Sequence, residues 1–253
     1  MRLSAQTLGV TTTLRNILIT GASRGFGAAL TRSYATRGCR VFGLVRKSED
    51  ARKLESSLAS CIPIVGDVTS PSVCAAIRTA FKNCDSRLDI LVNNAGIGGN
   101  LSKLESGVED EVLQQLQVHC VGALRVTRCV MPFLQRSSRA LVVNITSRYG
   151  SIARTVSGNL SNRGISYSYV IAKAAQNMLT LRLAEELRNT PVNVCCVHPG
   201  VMRTASGHSP DASETAELAA ERFVEWSLAA DARVHGEYLE LDTGHFGWSS
   251  ATL

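Results

Sequence analysis

Residues Asn16 to Gly27 read NILITGASRGFG, an apolar run of strand length followed at once by three closely spaced glycines. The apolar run predicts a buried strand, and the residues from Gly25 onward predict a helix. Glycines at this point allow the backbone to turn tightly and to approach a pyrophosphate, whose charge the free amides of the helix start can bind. The segment therefore predicts a nucleotide site between a first strand and a first helix.

The rest of the chain alternates short β-rich runs with helical stretches. We expect strands at 16–20, 40–45, 62–65, 89–93, 140–145, 193–197 and 237–241, and helices near 25–37, 50–58, 71–83, 109–136, 167–188 and 213–229. The strands are apolar throughout, so both of their faces should be buried. This pattern predicts an α/β fold, a doubly wound parallel β-sheet (a Rossmann fold) of seven strands with helices on both faces.

We predict one domain over residues 16–253, preceded by a flexible lead-in over residues 1–15. The lead-in lacks acidic residues, a feature that it shares with transit peptides. It does not contain the apolar core of a secretory signal peptide. No apolar run approaches the ~20 residues that a membrane helix needs, so we expect no membrane partner. The eight cysteines form no Cys-x-x-Cys motif. They indicate neither a disulfide framework nor a metal site, which favours a reducing compartment and a cytoplasmic location.

The net charge of +6 is distributed unevenly along the chain. No acidic residue precedes Glu49, and the first 48 residues carry a charge of +8. This surplus lies in the segment predicted to hold a polyanionic cofactor. Basic residues elsewhere are dispersed and aromatic residues make up only 5% of the chain, so nucleic acid is not an expected partner.

The end of the second strand indicates which dinucleotide is preferred. A carboxylate there would bind a ribose 2′-hydroxyl and repel a 2′-phosphate, but the strand ends in Val45, Arg46 and Lys47. Arg24 also projects from the glycine loop, and the paired donors of arginine match phosphate geometry. We therefore predict NADP(H) rather than NAD(H). The loop residues expected to bind it are Gly21, Ser23, Arg24, Gly25, Phe26 and Gly27.

Tyr169 and Lys173 form a second candidate site. Their i, i+4 spacing places both side chains on one face of a predicted helix, and Ser147 follows an apolar strand upstream. A phenol has a pKa of about 10, and a nearby ammonium favours its ionised form. Such a pair can move a proton on and off an alcohol oxygen. Tyr149 and Tyr167 are rival phenols, but neither is followed by lysine at this spacing.

These motifs resemble those of the short-chain dehydrogenase/reductase family, in the family's order and over about residues 16–244. Besides the glycine loop, Ser147 and the Tyr169/Lys173 pair, the matching positions are Asp67-Val68, Asn93-Asn94-Ala95-Gly96 and Pro199-Gly200 with Thr204. The segment Gly236–Gly244 followed by Trp248 is similar to the C-factor and Sniffer-type carbonyl reductases.

The resemblance implies further cofactor contacts at the matching positions. Asp67 and Val68 would contact the adenine, and Asn94, Ala95 and Gly96 would line the ribose. The turn after the sixth strand would lie at the nicotinamide. Its residues are Pro199, Gly200, Val201 and Thr204, the last of which would hold the carboxamide.

The resemblance also implies the catalytic roles. Ser147 would hydrogen-bond the substrate carbonyl, and Tyr169 would donate the proton as hydride arrives. Tyr169 and Lys173 would also contact the cofactor, with Lys173 binding the nicotinamide ribose and lowering the pKa of the phenol.

One motif departs from the family pattern. The family usually has asparagine where this chain has His119, at a position that helps to hold a water molecule relaying protons to the lysine. A histidine titrates near neutrality and hydrogen-bonds water, so we predict a proton-relay role for His119. The alternative is a packing substitution that leaves the water bound to backbone carbonyl.

The 21 residues between Ser147 and Tyr169 are a second departure, because the family's short forms have fewer. This insert should form a wall of the substrate cleft. Its Arg148, Arg154 and Arg163, with Arg203 opposite, would favour an acidic or carrier-bound substrate.

We therefore expect an NADPH-dependent enzyme that reduces a ketone or aldehyde to an alcohol. The alternatives are a non-catalytic NADP(H)-binding regulator and a non-redox isomerase or cyclase, since fold does not determine function. The expected partner is a small carbonyl or alcohol substrate. A homodimer or homotetramer, formed through the helices at 109–136 and 167–188, remains open beside a monomer.

Overall fold

A computed structural model describes residues 14–82, 87–100, 103–104, 106–158, 164–203, 212, 214–230, 232–246 and 248. The strands in this part of the chain are β1 (Asn16–Thr20), β2 (Arg40–Val45), β3 (Cys61–Val65), β4 (Ile90–Asn93), β5 (Ala140–Ile145), β6 (Val192–His198), β7 (Met202–Arg203), β8 (Glu214–Thr215), β9 (Tyr238–Glu240) and β10 (His245–Phe246). The α-helices are α1 (Gly25–Thr36), α2 (Ser48–Ser57), α3 (Val73–Lys82), α4 (Val108–Leu116), α5 (Ala123–Leu134), α6 (Ile152–Val156), α7 (Tyr167–Leu187) and α8 (Ala216–Ala229).

Three shorter helical segments join these elements. They are a π turn (Gln117–Gly122) and two 3₁₀ turns (Arg148–Gly150 and Ala232–Val234). None of the helices in the described residues combines the length and the apolar character that crossing a bilayer requires.

One large sheet organises the molecule, with strand order β10-β9-β6-β5-β4-β1-β2-β3. The seven predicted strands run parallel, so the predicted doubly wound sheet is confirmed. The eighth strand, β10, pairs antiparallel with β9 through only two residue pairs and is too short to give a periodic sequence signal. The strand order reverses between β1 and β4, and ligands of open α/β sheets bind at such a point.

The sheet is buried on both faces. Successive side chains of a strand point to opposite sides, so each strand contributes apolar side chains to two cores. Ile17 and Ile19 of β1 belong to a core that includes Phe26 of α1 and Phe223 of α8. Leu18 points the other way, into a core shared with α3, α5 and α7. Helices therefore pack on both faces of the sheet, as the apolar strands predicted.

The observed elements lie within a few residues of the predicted ones, and the differences have local causes. Helix α3 begins at Val73 rather than at residue 71, because Ser70 forms a turn in which its carbonyl accepts from the Val73 amide at 3.2 Å. The single helix predicted at 109–136 contains the π turn, which adds a residue to one helical turn. Residues 1–13 of the predicted lead-in lie outside the described residues, whereas Arg15 donates to Leu228 O at 3.0 Å.

The insert between Ser147 and Tyr169, predicted as a wall of the substrate cleft, contains ordered turns where it is described. Ser147 accepts a hydrogen bond from the Tyr149 amide and begins the first 3₁₀ turn. Ser151 accepts from the Arg154 amide and begins α6. Two serine caps therefore begin two short helical turns in this polar segment.

Candidate functional site

The glycine loop follows β1 at the carboxyl edge of the sheet. Gly21 and Gly25 have φ of +70° and +53°, in the left-handed region that favours glycine. A Cβ on Gly27 would lie 2.2 Å from the Gly21 carbonyl oxygen and 2.5 Å from Asn94 Nδ2. The backbone path and the close packing thus explain why this loop requires glycine.

Thr20 and Asn94 join the loop to the turn after β4. Thr20 Oγ1 accepts from the amides of Asn94 at 3.0 Å and Ala95 at 2.9 Å. Asn94 Nδ2 donates to the carbonyl oxygens of Thr20 at 2.9 Å and Gly21 at 3.2 Å. The Asn94 side chain therefore braces the loop, a role that the resemblance did not imply.

A cleft of about 790 Å³ opens between the glycine loop, the end of β2 and the turn after β4. It brings together most of the predicted cofactor residues, namely Gly21, Ser23, Arg24, Gly25, Phe26, Gly27, Arg46, Asp67, Val68, Asn94, Ala95 and Gly96. Of the other predicted contacts that the structure describes, Tyr169, Lys173, Pro199, Gly200 and Val201 do not line this cleft. Thr204 lies outside the described residues.

Positive charge is concentrated at one end of the cleft. Arg24 occupies the N-cap position of α1, whose first turn contains no acidic residue. Arg46 and Lys47 are exposed at the end of β2. In the part of the chain that the structure describes, neither Arg24 nor Arg46 forms an ion pair, so both guanidinium groups can meet an anion. Glu49 and Asp50 of α2 line the same end.

Asp67 lines the same cleft, beside Val68. Its Oδ1 accepts from both the amide and the hydroxyl of Thr69, each at 2.8 Å. Partial burial acts to raise the pKa of Asp67, but the Thr69 bonds and the charges of Arg46 and Arg125 hold it below its ordinary value. The carboxylate therefore carries a fixed negative charge at neutral pH.

The predicted catalytic side chains meet where β5 and α7 adjoin. Ser166 accepts from the Tyr169 amide at 3.3 Å and begins α7. Tyr169 and Lys173 share one face of the helix, with Lys173 Nζ 5.7 Å from the centre of the phenol ring. The Ser147 side chain lies close enough to the Tyr169 hydroxyl to act on its pKa, in the lowering direction. The structure thus brings Ser147, Tyr169 and Lys173 together as the sequence predicted.

The protonation of Tyr169 and Lys173 differs from what the family resemblance implied. Burial raises the pKa of Tyr169 above its ordinary value, outweighing the opposing effect of Ser147, and the neighbouring Tyr149 adds to the rise. Burial also lowers the pKa of Lys173 to about 7. The resemblance implied a lowered phenol pKa. Desolvation instead favours the neutral form of both groups.

His119 lies in the π turn and is only 2% exposed. Its ring packs edge-on against Tyr169, with the ring centres 5.9 Å apart. Nε2 lies 3.1 Å from Ile97 O, and Nδ1 is buried without a hydrogen-bond partner in the described residues. A Cβ on Gly96 would lie 2.7 Å from His119 Cε1, so the ring needs glycine there.

Burial lowers the pKa of His119 to about 3, and the charge on Lys173 adds to the effect. The prediction that this histidine titrates near neutrality is therefore wrong. With its proton on Nε2, the ring donates to Ile97 O and leaves Nδ1 as an acceptor near the catalytic group. Any relay role must use the neutral ring.

The insert arginines have different environments. Arg154 pairs with Glu240, with 2.8 Å between Nη2 and Oε2, and Glu240 also accepts from the Tyr238 hydroxyl. Glu240 is only 2% exposed, so Arg154 is committed to an internal pair and its predicted contact with an acidic substrate is not supported. Arg148 lies 5.8 Å from the centre of the Tyr149 ring and Arg203 is exposed on β7, while Arg163 is outside the described residues.

Gln176 is a residue of this site that was not predicted from the sequence. This side chain is 1% exposed and accepts a hydrogen bond from Lys173 Nζ at 3.0 Å. The signal was its i, i+3 spacing from Lys173, which places a polar side chain on the catalytic face of α7. In the described residues no cluster of three or more His, Cys, Asp or Glu could hold a metal ion.

Comparison with known proteins agrees with this architecture. A protein-family model described as short chain dehydrogenase matches residues 15–215. A 3-ketodihydrosphingosine reductase of Bacteroides thetaiotaomicron is 32% identical over 202 residues, spanning 78% of this chain and 68% of that protein. An L-fucose dehydrogenase of Mus musculus is 29% identical, spanning 73% of this chain and 64% of that protein.

Solved structures show the same fold. The NADPH-bound carbonyl reductase from chicken fatty liver has a TM-score of 0.82 at 23% identity, covering 93% of this chain and 99% of its own. Carbonyl reductase Sniffer of D. melanogaster has a TM-score of 0.79 at 24% identity, covering 90% of this chain and 97% of its own. The family match covers most of the chain and the fold agrees with it, so the chain belongs to the short-chain dehydrogenase family of oxidoreductases.

Proposed function

We propose that this protein is an NADPH-dependent reductase that converts a ketone or aldehyde into an alcohol. The observation that carries the proposal is the meeting of Ser147, Tyr169 and Lys173 beside the turn that closes the dinucleotide cleft. Ile97 of that turn contacts His119, and the His119 ring packs on Tyr169. A cofactor site and a proton donor therefore adjoin in one molecule.

The cleft fits a dinucleotide by its own chemistry. Glycine at position 27 lets the start of α1 pack directly against the Gly21 carbonyl oxygen and the Asn94 side chain, which keeps the loop tight. The free amides at the start of α1 face the same region and favour an anion. When bound, NADPH supplies the hydride.

The preference for NADP(H) follows from the charges at the end of β2. Arg24 and Arg46 offer two guanidinium groups to a 2′-phosphate, and no carboxylate stands at the position that would bind a 2′-hydroxyl. Glu49 and Asp50 lie further along, in the first turn of α2. Their negative charges weaken the preference for NADP(H), but Arg24 and Arg46 still offer hydrogen-bond donors to the 2′-phosphate.

In the proposed mechanism, the hydroxyl groups of Ser147 and Tyr169 hold the substrate carbonyl oxygen. The raised pKa of Tyr169 keeps the phenol protonated at neutral pH, the state needed to donate a proton during reduction. The Lys173 ammonium, beside the phenol ring, stabilises the phenolate that remains. Lys173 has a pKa of about 7, so this stabilisation weakens as the pH rises through that value.

A carbonyl-substrate screen that follows NADPH absorbance tests the proposal. Among the relatives are a protein named as a ketone reductase and another named as a sugar dehydrogenase, so the panel should include long-chain ketones, sugars and the corresponding alcohols. Tyr169→Phe should reduce turnover by about 10³-fold. Tyr167→Phe is the matched control, because Tyr167 lies on the same helix, is 44% exposed and has no lysine at i+4.

Intact NADPH binding with no turnover of any panel member would contradict the proposal. That result would favour the regulator or the non-redox isomerase or cyclase.

A further inference from the structure

The position of Lys173 depends on two acceptors. Its Nζ donates to Ile145 O at 2.7 Å and to Gln176 Oε1 at 3.0 Å. The lysine is 5% exposed and Gln176 is 1% exposed, so water contributes little to holding the ammonium. A buried ammonium without acceptors is costly, and each acceptor therefore affects both its position and its charge.

Gln176 is held by a buried polar network. Its backbone carbonyl accepts from Thr180 Oγ1 at 2.9 Å. Thr180 Oγ1 in turn accepts from Asn144 Nδ2 at 2.9 Å, and Asn144 Oδ1 accepts from Asn93 Nδ2 at 2.9 Å. Because an ammonium only donates, the amide oxygen of Gln176 must face Lys173. The network thus anchors the backbone at Gln176, and the bond from Lys173 sets the orientation of its amide.

We propose that Gln176 is a positioning residue that holds the Lys173 ammonium beside the Tyr169 ring. The inference rests on the reductase function proposed above and deepens it. Ile145 offers a backbone carbonyl, which no substitution removes. Gln176 offers a side-chain oxygen, so a substitution at this position changes what the ammonium contacts.

The neighbouring groups do not replace this acceptor. The low pKa of His119 leaves its imidazole neutral, and burial raises the pKa of the Cys196 thiol, which is also neutral. Neither group supplies a counter-charge to Nζ near pH 7. The titratable and charged groups on elements packed around Lys173 include Tyr169 of α7, His119 of the π turn, Cys196 of β6, Arg148 and Tyr149 of the 3₁₀ turn, and Glu111 of α4, which bonds Ser168.

Two substitutions change the acceptor while keeping the shape of the side chain. Gln176→Met removes the oxygen, so the charged lysine loses stabilisation and its pKa falls. Gln176→Glu keeps an oxygen and adds negative charge, so the lysine pKa rises. Gln115→Met is the matched control, because Gln115 is a fully buried glutamine whose amide has no hydrogen-bond partner in the described residues.

The direct test is an NMR titration of lysine labelled with ¹³C at Cε, performed on the cofactor-free protein. The chain has only five lysines, and the signal missing from Lys173→Arg identifies Lys173. We expect a midpoint of about 7 in the unsubstituted protein. It should fall by about one pH unit in Gln176→Met, rise by a similar amount in Gln176→Glu and stay unchanged in Gln115→Met.

An unchanged Lys173 midpoint in both Gln176 variants would overturn the inference. If Gln176→Met does not fold, the upward shift in Gln176→Glu decides the test alone. This result does not require turnover, so it stands apart from the reductase proposal. Where turnover is present, the high-pH limb of kcat/KM should move in the same direction as the midpoint, which a purely structural role would not produce.

Discussion

The glycine loop and the catalytic face of α7 serve adjoining parts of the proposed site, yet they are built by opposite means. The loop depends on backbone geometry and on exposed guanidinium groups that stay charged at every physiological pH. The catalytic face depends on buried side chains whose pKa values burial has moved, upward for Tyr169 and downward for Lys173 and His119. Charge is therefore constant at the cofactor end and adjustable at the catalytic end.

This difference predicts how the two regions respond to substitution. Changes at the loop should alter cofactor affinity with little dependence on pH. Changes at the catalytic face should alter turnover, or the pH range over which the protein works and stays folded. The following experiments test that separation.

The largest effect is expected for Tyr169→Phe, which removes the proposed proton donor. The kcat for carbonyl reduction should fall by about 10³-fold, within the range of general acid catalysis. NADPH affinity, measured by fluorescence titration, should change less than threefold, on the order of 0.6 kcal/mol. An equal loss of affinity and turnover would mean that the two regions are not separable.

Gly27→Ala should weaken NADPH binding by about 30-fold, or roughly 2 kcal/mol. The new Cβ would meet the Gly21 carbonyl oxygen at 2.2 Å, so the loop must shift. Gly25→Ala is the matched control: a Cβ there meets no atom within 4 Å, and only its φ of +53° opposes the change. It should therefore cost less, about 1 kcal/mol. Equal losses in the two variants would contradict the packing argument.

Arg46→Ala should reduce the preference for NADPH over NADH by about tenfold, because a 2′-phosphate loses one charge-assisted hydrogen bond. Arg24→Ala should act similarly, and affinity for NADH should stay constant in both. Arg32→Ala removes the same charge from α1, where Arg32 pairs with Glu217 at 2.8 Å. Comparable loss of preference in Arg32→Ala would indicate a general field rather than specific contacts.

The smallest effect concerns stability as a function of pH. The pKa of His119 is about 3 in the folded protein and that of His198 about 4, while an unfolded histidine has a pKa of about 6.5. Below pH 6.5 the unfolded chain binds protons that the folded protein does not, so stability falls as the pH falls. His119→Asn should make that fall shallower, by roughly 1 kcal/mol between pH 6.5 and 5.5.

Urea unfolding at pH 7, 5.5 and 4.5 measures this difference. Parallel loss of stability in the unsubstituted protein and in His119→Asn would show that His119 is not buried in its neutral form.

The same contrast explains how far sequence reasoning reached. The glycine loop, β1 and α1 are contiguous in the chain, so the pattern from Asn16 to Gly27 contains nearly all that is needed to predict them. The spacing of Tyr169 and Lys173 likewise predicted their shared face. Local sequence patterns were sufficient to predict features whose residues lie close together in the chain.

Prediction failed where distant segments determine the environment. Arg154 looked free for substrate, but its partner Glu240 lies 86 residues away. His119 was expected to titrate near neutrality, and only the packing of the π turn against Ile97 and Tyr169 shows how deeply it is buried. Burial sets a pKa through the whole surroundings of a group, which a linear pattern does not contain.

The central claim is that hydride passes from NADPH to a carbonyl carbon while Tyr169 supplies the proton. The most direct measurement uses NADPH deuterated at C4, with each epimer tested in turn, and analyses the product alcohol by mass spectrometry. One deuterium should appear on the carbinol carbon from one epimer only, and Tyr169→Phe should form the labelled alcohol about 10³-fold more slowly. NADPH binding without deuterium transfer to any carbonyl would contradict it.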